Sequence, residues 1–486
     1  MRQALWILRK DIRHLWPRIA LFVGILTVYA NGDAAAPYHP RFEGPGIVWS
    51  FLLWLAAAFL AISVVHEDRL VGDRQFWITR PYSWKSLLLA KGLFVLLLVS
   101  LPVLLAQIAA LVSNSISPLD YVPELLWRQV TLAAWTILPC AALAAVTRNL
   151  PQTVIAAFIA LFAAVFFTFS LGVGGAPEGA VSPADAASHA VLAMLLAGGA
   201  CWLQFARRGP ILARSLLVCG IVVAVTVFPI LPWRVAFAWL EWRSPAIDAQ
   251  VVRLAPDLPR KAGPGGAYVE KVPISFPIQV TGIPDGMAVY SERVKIALEA
   301  AGGKTWSSNW RHSDFVTDHR LTMLSLHQLL PGAGAPYWLV ADVDRSFYEA
   351  FSTQPVHVRA AVAFTLLDRA QTKQLSAIGA AEPIADHGFC YPSAGGSGSA
   401  LYCIAPMRGP ALVLLRPPTG RTAEDEAEIG SGGGIGTVFS IWESIPIAGR
   451  VGLDPSHAVI ETRQAVAHFE RDLDMPGVVL AELRGQ

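Results

Sequence analysis

The chain has 486 residues, of which 54% are hydrophobic and 15% charged, whereas soluble domains carry about a quarter charged residues. Formal net charge is +2, and the basic residues form no dense cluster of the kind that grips phosphates. A nucleic-acid partner is therefore not expected. Two compositional halves lie beneath the average. Residues 1–240 consist of long Ala, Leu, Val, Phe and Trp runs; from about 245 the charges return and apolar runs shorten to strand length. The expected architecture is an α-helical multi-span membrane domain over 17–240, then a β-rich, sandwich-like extracytoplasmic domain over 248–486.

In chain order, residues 2–16 place Leu5, Leu8, Ile12 and Leu15 on one helical face, with Arg9, Lys10 and Arg13 elsewhere. That pattern predicts an amphipathic helix over 1–16 lying on the cytoplasmic membrane surface. Seven apolar runs follow, at 17–31, 47–65, 88–112, 127–147, 153–173, 188–205 and 215–235; a crossing needs about 20 residues. The first is short and needs Arg18 to snorkel. A signal peptide cleaved near Ala34–Ala36 is the rival there, but its charged leader would be unusually long, so a retained helix is expected.

Basic residues in short loops set orientation. Segments 1–18, 66–91, 148–152 and 206–214 hold fourteen Lys and Arg, and the alternate loops 32–46, 113–126 and 174–187 hold one. This bias puts the amino terminus in the cytoplasm and, after seven crossings, the carboxy-terminal half outside. Cysteine placement is consistent with that. Cys140, Cys201 and Cys219 fall within apolar runs, as small packing residues do. Cys390 and Cys403 flank the flexible YPSAGGSGSALY. A disulfide there would contribute about 3 kcal/mol and needs an oxidising compartment such as a bacterial periplasm; two unrelated thiols are the alternative.

The spans are nearly free of ionisable side chains. Gln107 is the main polar group in the third and Arg128 opens the fourth. Proton-coupled transport normally uses a buried acid or histidine, so any energy for transport comes from elsewhere. Pro102, Pro139, Pro229 and Pro232 can shape or hinge these helices.

The most unusual loop is HEDRLVGDRQFWITRPYSWK, residues 66–85. Glu67, Asp68, Arg69, Asp73 and Arg74 alternate in sign, and Arg69 and Asp73 can pair at i,i+4. Leu70, Phe76 and Trp77 lie among them. Exposed aromatics beside mixed charge suit protein docking better than a lipid-binding patch, which is purely basic; an ordinary solvated inside loop explains only the bases. Glu67, Gly72, Asp73, Arg74, Phe76, Trp77, Thr79, Arg80 and Pro81, followed by Ala90 and Lys91 before the next span, resemble the corresponding loop of type-2 ABC exporter permeases. The resemblance covers 1–235, and an amphipathic helix ahead of the first span is similar to that family's as well. It implies that 66–85 carries a coupling helix for a separate ABC ATPase subunit and that a second permease subunit, identical or related, pairs with this one in the bilayer. Residues Glu67, Asp68, Arg69, Asp73, Arg74, Phe76, Trp77 and Arg80 are the expected contacts. The family commonly has six spans and ends inside; a seventh span and an outer domain depart from it.

In the second half, PISFPIQVTGI, HRLTMLSLHQLL, PYWLVADVDR, VHVRAAVAFTLLD, ALYCIAPM, ALVLLRPP and GTVFSIWESIPI read as strands. The string AAGGKT at 300–305 has Leu298 where a phosphate loop needs glycine, so no cofactor is expected in this chain and ATP belongs to the partner. WRHSDFVTDHR gathers His312, Asp314, Asp318 and His319 but reads as a solvated loop rather than a zinc site. GSGGGIG at 430–436, after EDEAE, reads as a mobile loop. No catalytic constellation appears, and the chain is expected not to be an enzyme. The expected function is an exporter permease subunit in a bacterial inner membrane; the alternative is a membrane-anchored binding or sensory module.

Overall fold

A computed structural model of the chain describes residues 1–35, 43–68, 83–170, 183–227, 232–245, 252–257, 271–318, 323–325, 337–369, 371–374, 382–384, 388–393, 400–406, 412–416, 428–431, 439–447 and 459–484. The chain divides into two compact units. One comprises Met1–Ala236 with Ile404–Gly409 and Gly434–Ser444; the other comprises Phe237–Cys403, Pro410–Gly433 and Ile445–Gln486.

The first unit is helical: α1 (Arg2–Ala35), α2 (Glu43–His66), α3 (Trp84–Val95), α4 (Leu101–Ser113), α5 (Val122–Leu132), α6 (Leu138–Val146), α7 (Leu150–Ser170), α8 (Pro183–Trp202), α9 (Pro210–Val227) and the start of α10 (Pro232–Arg243). Five helical stretches among the described residues are long and apolar enough to cross a membrane: Arg2–Asp33, Val48–His66, Trp84–Ser113, Pro118–Val146 and Ala190–Arg207. The spans expected at 153–173 and 215–235 fall on α7 and α9, where the described residues give only shorter apolar helices, Leu150–Ala160 and Pro210–Gly220. The expected seventh run is divided between two helices, and α10 starts on Pro232, whose missing N–H costs nothing at a helix start.

α1 runs unbroken through Pro17, joining the segment expected as an interfacial helix to the one expected as the first span. Its buried stripe is Ala4, Ile7, Leu8, Asp11, Leu15, Phe22, Leu26 and Tyr29, a helical period of three and four. Leu5, expected on that face, is exposed. Proline in a helix removes one hydrogen bond; Leu15 and Phe22, packed on either side of it, keep the helix in register. Pro102 and Pro139 each follow a π-helical turn, Leu96–Ser100 and Ala133–Ile137, an irregularity that absorbs a missing donor. α3–α4 and α5–α6 therefore each continue through a wide turn.

The second unit is antiparallel β. Arg253–Pro256, Lys271–Thr281 and Tyr337–Asp344 form one sheet, and Ala465–Val479, Pro355–Leu367, Ala288–Glu299, Arg311–Asp318 and Met323–Ser325 order a second. Val272, Ile274, Phe276, Leu339 and Val343 of the first pack in one core with Val294, Ile296, Val358, Val362 and Phe469 of the second, as in a sandwich. A smaller four-stranded sheet uses 371–374, 412–416, 428–431 and 459–463.

Arg311–Asp318 of WRHSDFVTDHR is a strand, not a loop, because its backbone is paired on both sides by Ala288–Glu299 and Met323–Ser325. Glu428–Ser431 is likewise a strand, paired with Leu412–Leu415, so GSGGGIG begins in a sheet. The longest strand among the described residues, Ala465–Val479, has no clean apolar alternation and is not among the expected strands; Pro355–Leu367 carries it along its length.

Candidate functional site

Three helices bring four charges together at the base of the 66–85 loop. α1 supplies Lys10 and Asp11, the turn closing α2 supplies Asp68, and α3 supplies Lys91. Lys91 Nζ donates to Asp11 Oδ2 at 2.8 Å and to Asp68 Oδ2 at 2.6 Å. Lys10 Nζ donates to Asp68 Oδ1 at 2.7 Å and stands 3.3 Å from Asp11 Oδ1. Side-chain exposure is 0% for Asp11, 6% for Lys91, 8% for Asp68 and 18% for Lys10. Ions buried this deeply persist only where each is paired and hydrogen-bonded, and two cations against two anions leave the group neutral. Burial pushes the Asp68 carboxyl up, but the Lys91 charge, with hydrogen bonds from Lys10 and Lys91, outweighs it and holds Asp68 below the usual carboxylate range.

Local sequence explains each position. Asp11 sits on the buried stripe of α1, seven residues from Ala4 and four from Leu15. Lys91 shares a face with Leu87, Ala90 and Phe94, all buried. Asp68 follows the last turn of α2, which Glu67 extends by donating to the Ser63 carbonyl at 3.1 Å. Ser83 caps α3, its Oγ accepting from Ser86 N at 3.1 Å. Ser83 N in turn reaches Gln3 Oε1 at 3.4 Å. Both stems of residues 69–82 are thus tied to α1, one through Asp68 and Lys10, the other through Ser83 and Gln3.

Neighbouring contacts extend the brace. His66 Nε2 and Thr153 Oγ1 are 2.8 Å apart, and Thr153 meets Thr147 Oγ1 at 2.6 Å, linking α2 to the α6–α7 turn. Arg214 at the start of α9 donates twice to the Val146 carbonyl, at 2.9 and 3.2 Å. Glu67 is partly exposed and lies 3.7 Å from His14 Nδ1.

Of the expected contact residues, Glu67 and Asp68 are placed by the structure; Arg69, Asp73, Arg74, Phe76, Trp77 and Arg80 lie outside the described residues. Asp68 turns inward to the brace. Lys10, expected on the polar face of an interfacial helix, instead faces Asp68; Asp11 had no expected role, and Lys91 was expected only as part of the loop motif. A signal was available for Asp11, an acid at a core position of an otherwise apolar stripe. Cys390 and Cys403 lie on hydrogen-bonded neighbouring strands, Gly388–Ser393 and Ala400–Pro406, and their side chains are outside the described set. Among the described residues no three His, Cys, Asp or Glu converge as a metal site. No protein-family model matches the chain, and no curated protein matches its sequence.

Proposed function

We propose that this protein is the permease subunit of an ATP-driven exporter of the ABC type, with residues 66–85 as the element that docks a separate ATPase chain. The observation that carries this reading is the buried quartet Lys10, Asp11, Asp68 and Lys91, which ties both stems of the loop to α1. A loop that only joins two helices has no need of four buried charges at its base, since desolvating them is costly. A loop that takes a push from a partner does need a stiff foundation, and the hydrogen bonds through His66, Thr153 and Arg214 spread that foundation over α2, α6, α7 and α9. The mixed charge and aromatics of the loop sequence, and its resemblance to the coupling loop of type-2 exporter permeases, support the same reading.

On this reading a pair of permease chains sits in a bacterial cytoplasmic membrane, with the loop inside and the β unit outside. ATP binding on the partner pulls the loop, and the quartet passes that displacement to three helices at once. No chemistry is assigned to this chain. The test is co-purification of the full chain from detergent with mass spectrometry. An ATPase carrying a phosphate loop should come down with the wild type and be lost from the Asp73→Ala, Arg74→Ala, Trp77→Ala triple variant. Recovery of the intact chain without any ATPase points to the anchored-sensor alternative.

A further inference from the structure

The buried stripe of α1 that carries Asp11 also leads to a second acid, and the two close different clamps. Asp33 lies four residues beyond the buried Tyr29. Its Oδ1 accepts from Ser440 Oγ at 2.6 Å and its Oδ2 from the Ile441 backbone N–H at 3.1 Å. Gln107 Nε2 of α4 donates to the Phe439 carbonyl at 3.2 Å, and Gln129 Nε2 of α5 donates to Gln107 Oε1 at 3.1 Å. The Tyr29 ring meets Phe439 edge-on, with centroids 6.4 Å apart. Phe439 and Ile441 are both buried. These three residues come from far along the chain, yet Gly434–Ser444 belongs to the helical unit while the sequence on either side of it belongs to the β unit. A short non-helical segment among apolar helices is stable only when its backbone groups are paired, and α1 and α4 supply that pairing.

We propose that α1 is a rod coupling the footing of the 66–85 loop, at Asp68 and Lys91, to the 439–441 strap, with Asp11 and Asp33 as its two grips. From Asp11 to Asp33 the helix makes about six turns and rises about 33 Å. That interval is two eleven-residue repeats, which return a side chain to nearly the same face. Both acids therefore face the interior, and the unbroken helix between them gives the two grips a common rigid member. A shift of one end along or about the axis has to strain the hydrogen bonds at the other. Such coupling is reciprocal: loosening the strap loosens the Asp11–Lys91–Asp68 footing as much as the converse. What pulls the loop rests on the function proposed above; the rod itself does not.

Hydrogen exchange on the full chain in lipid nanodiscs tests this without any ATPase. The Ile441 amide reports the strap, and peptides covering 66–85 report the loop. Lys91→Met should speed exchange at Ile441 by about tenfold or more, the scale of one lost charge-assisted hydrogen bond. Asp33→Asn and the milder Ser440→Ala should speed exchange within 66–85. Responses confined to the end that was mutated overturn the coupling, and so does a wild-type Ile441 amide that exchanges at the unprotected rate. If Lys91→Met fails to fold, Lys91→Arg, which keeps the charge and alters its reach, should show the same distant effect. Failure to recover an ATPase would overturn the proposed function and leave these exchange results standing.

Discussion

Lys91 Nζ and Asp68 Oδ2 lie 2.6 Å apart, with residues 69–82 running between them in sequence, so the ion pair closes that loop at its base. Asp11, from a third helix, shares the same ammonium at 2.8 Å. Lys91→Met leaves two buried carboxylates with only Lys10 to balance them. Removing one member of a buried ion cluster typically costs about 3–5 kcal/mol, and denaturation of the purified protein should show a loss near the lower figure. The double variant Lys91→Met, Asp11→Asn removes one charge of each sign and should recover part of that loss. Equal stability of the single and double variants would sink the idea that charge balance holds the site.

Asp68 also sets an acid limit. Its carboxyl is held below the usual range, burial opposing and Lys91 and Lys10 prevailing. A group whose folded pKa lies below its unfolded value, about 3.9, stabilises above that value and ceases to do so as pH falls through the folded one. Stability of the helical unit should therefore be flat above about pH 5 and fall below about pH 4. Asp68→Asn should be less stable at neutral pH and lose part of that acid slope. An unchanged slope in the variant would remove Asp68 from the account.

A second buried polar group sits in the β unit, where Thr365 bridges Glu292 and His468 across three neighbouring strands. The Thr365 hydroxyl donates to Glu292 Oε1, so at 2.8 Å it accepts from His468 Nδ1–H. Burial raises the Glu292 carboxyl, but hydrogen bonds from His468 and Thr365 and the nearby charges bring it below its ordinary value. Thr365→Val keeps the shape and removes both hydrogen bonds. The expected cost is about 1–3 kcal/mol, the penalty for leaving buried polar groups short of partners. A neutral result in chemical denaturation would mean that the triad contributes nothing to the fold.

Five cysteines are present in the chain, and Cys140, Cys201 and Cys219 carry free thiols. If Cys390 and Cys403 are joined, alkylation of the denatured, unreduced protein should modify three cysteines, and reduction should expose two more. Opening so short a loop should cost about 3 kcal/mol on the chain-entropy account. Five modified cysteines before reduction would remove both the disulfide and the argument it gives for an oxidising compartment.

Legibility differed sharply between the levels of this structure. Apolar run length places most of the helices, but the face of α1 is read only in part: Leu8 and Leu15 are buried as their spacing implies, whereas Leu5 is exposed and Ala4 and Ile7 take the buried positions. Alternation gives the β-rich half, since Lys271–Thr281 and Pro355–Leu367 keep much of the pattern that a half-buried strand imposes. Where partners decide, the sequence is silent. Arg311–Asp318 is polar throughout most of its length and becomes a strand because two neighbours pair its backbone. Proline at position 17 marks a helix boundary in isolation, and packing of Leu15 and Phe22 overrides it.

The sequence by itself determined a helical, apolar first half, a β-rich second half and an odd polar loop between two apolar runs. Those follow from composition and spacing, which act over a few residues. Only the tertiary structure decided that Asp11 and Lys91, eighty positions apart, complete the footing of that loop, and that Asp33 grips residues more than four hundred positions away. A lone charge in an apolar run has no meaning until its counter-charge arrives, and the partner is chosen by how helices cross.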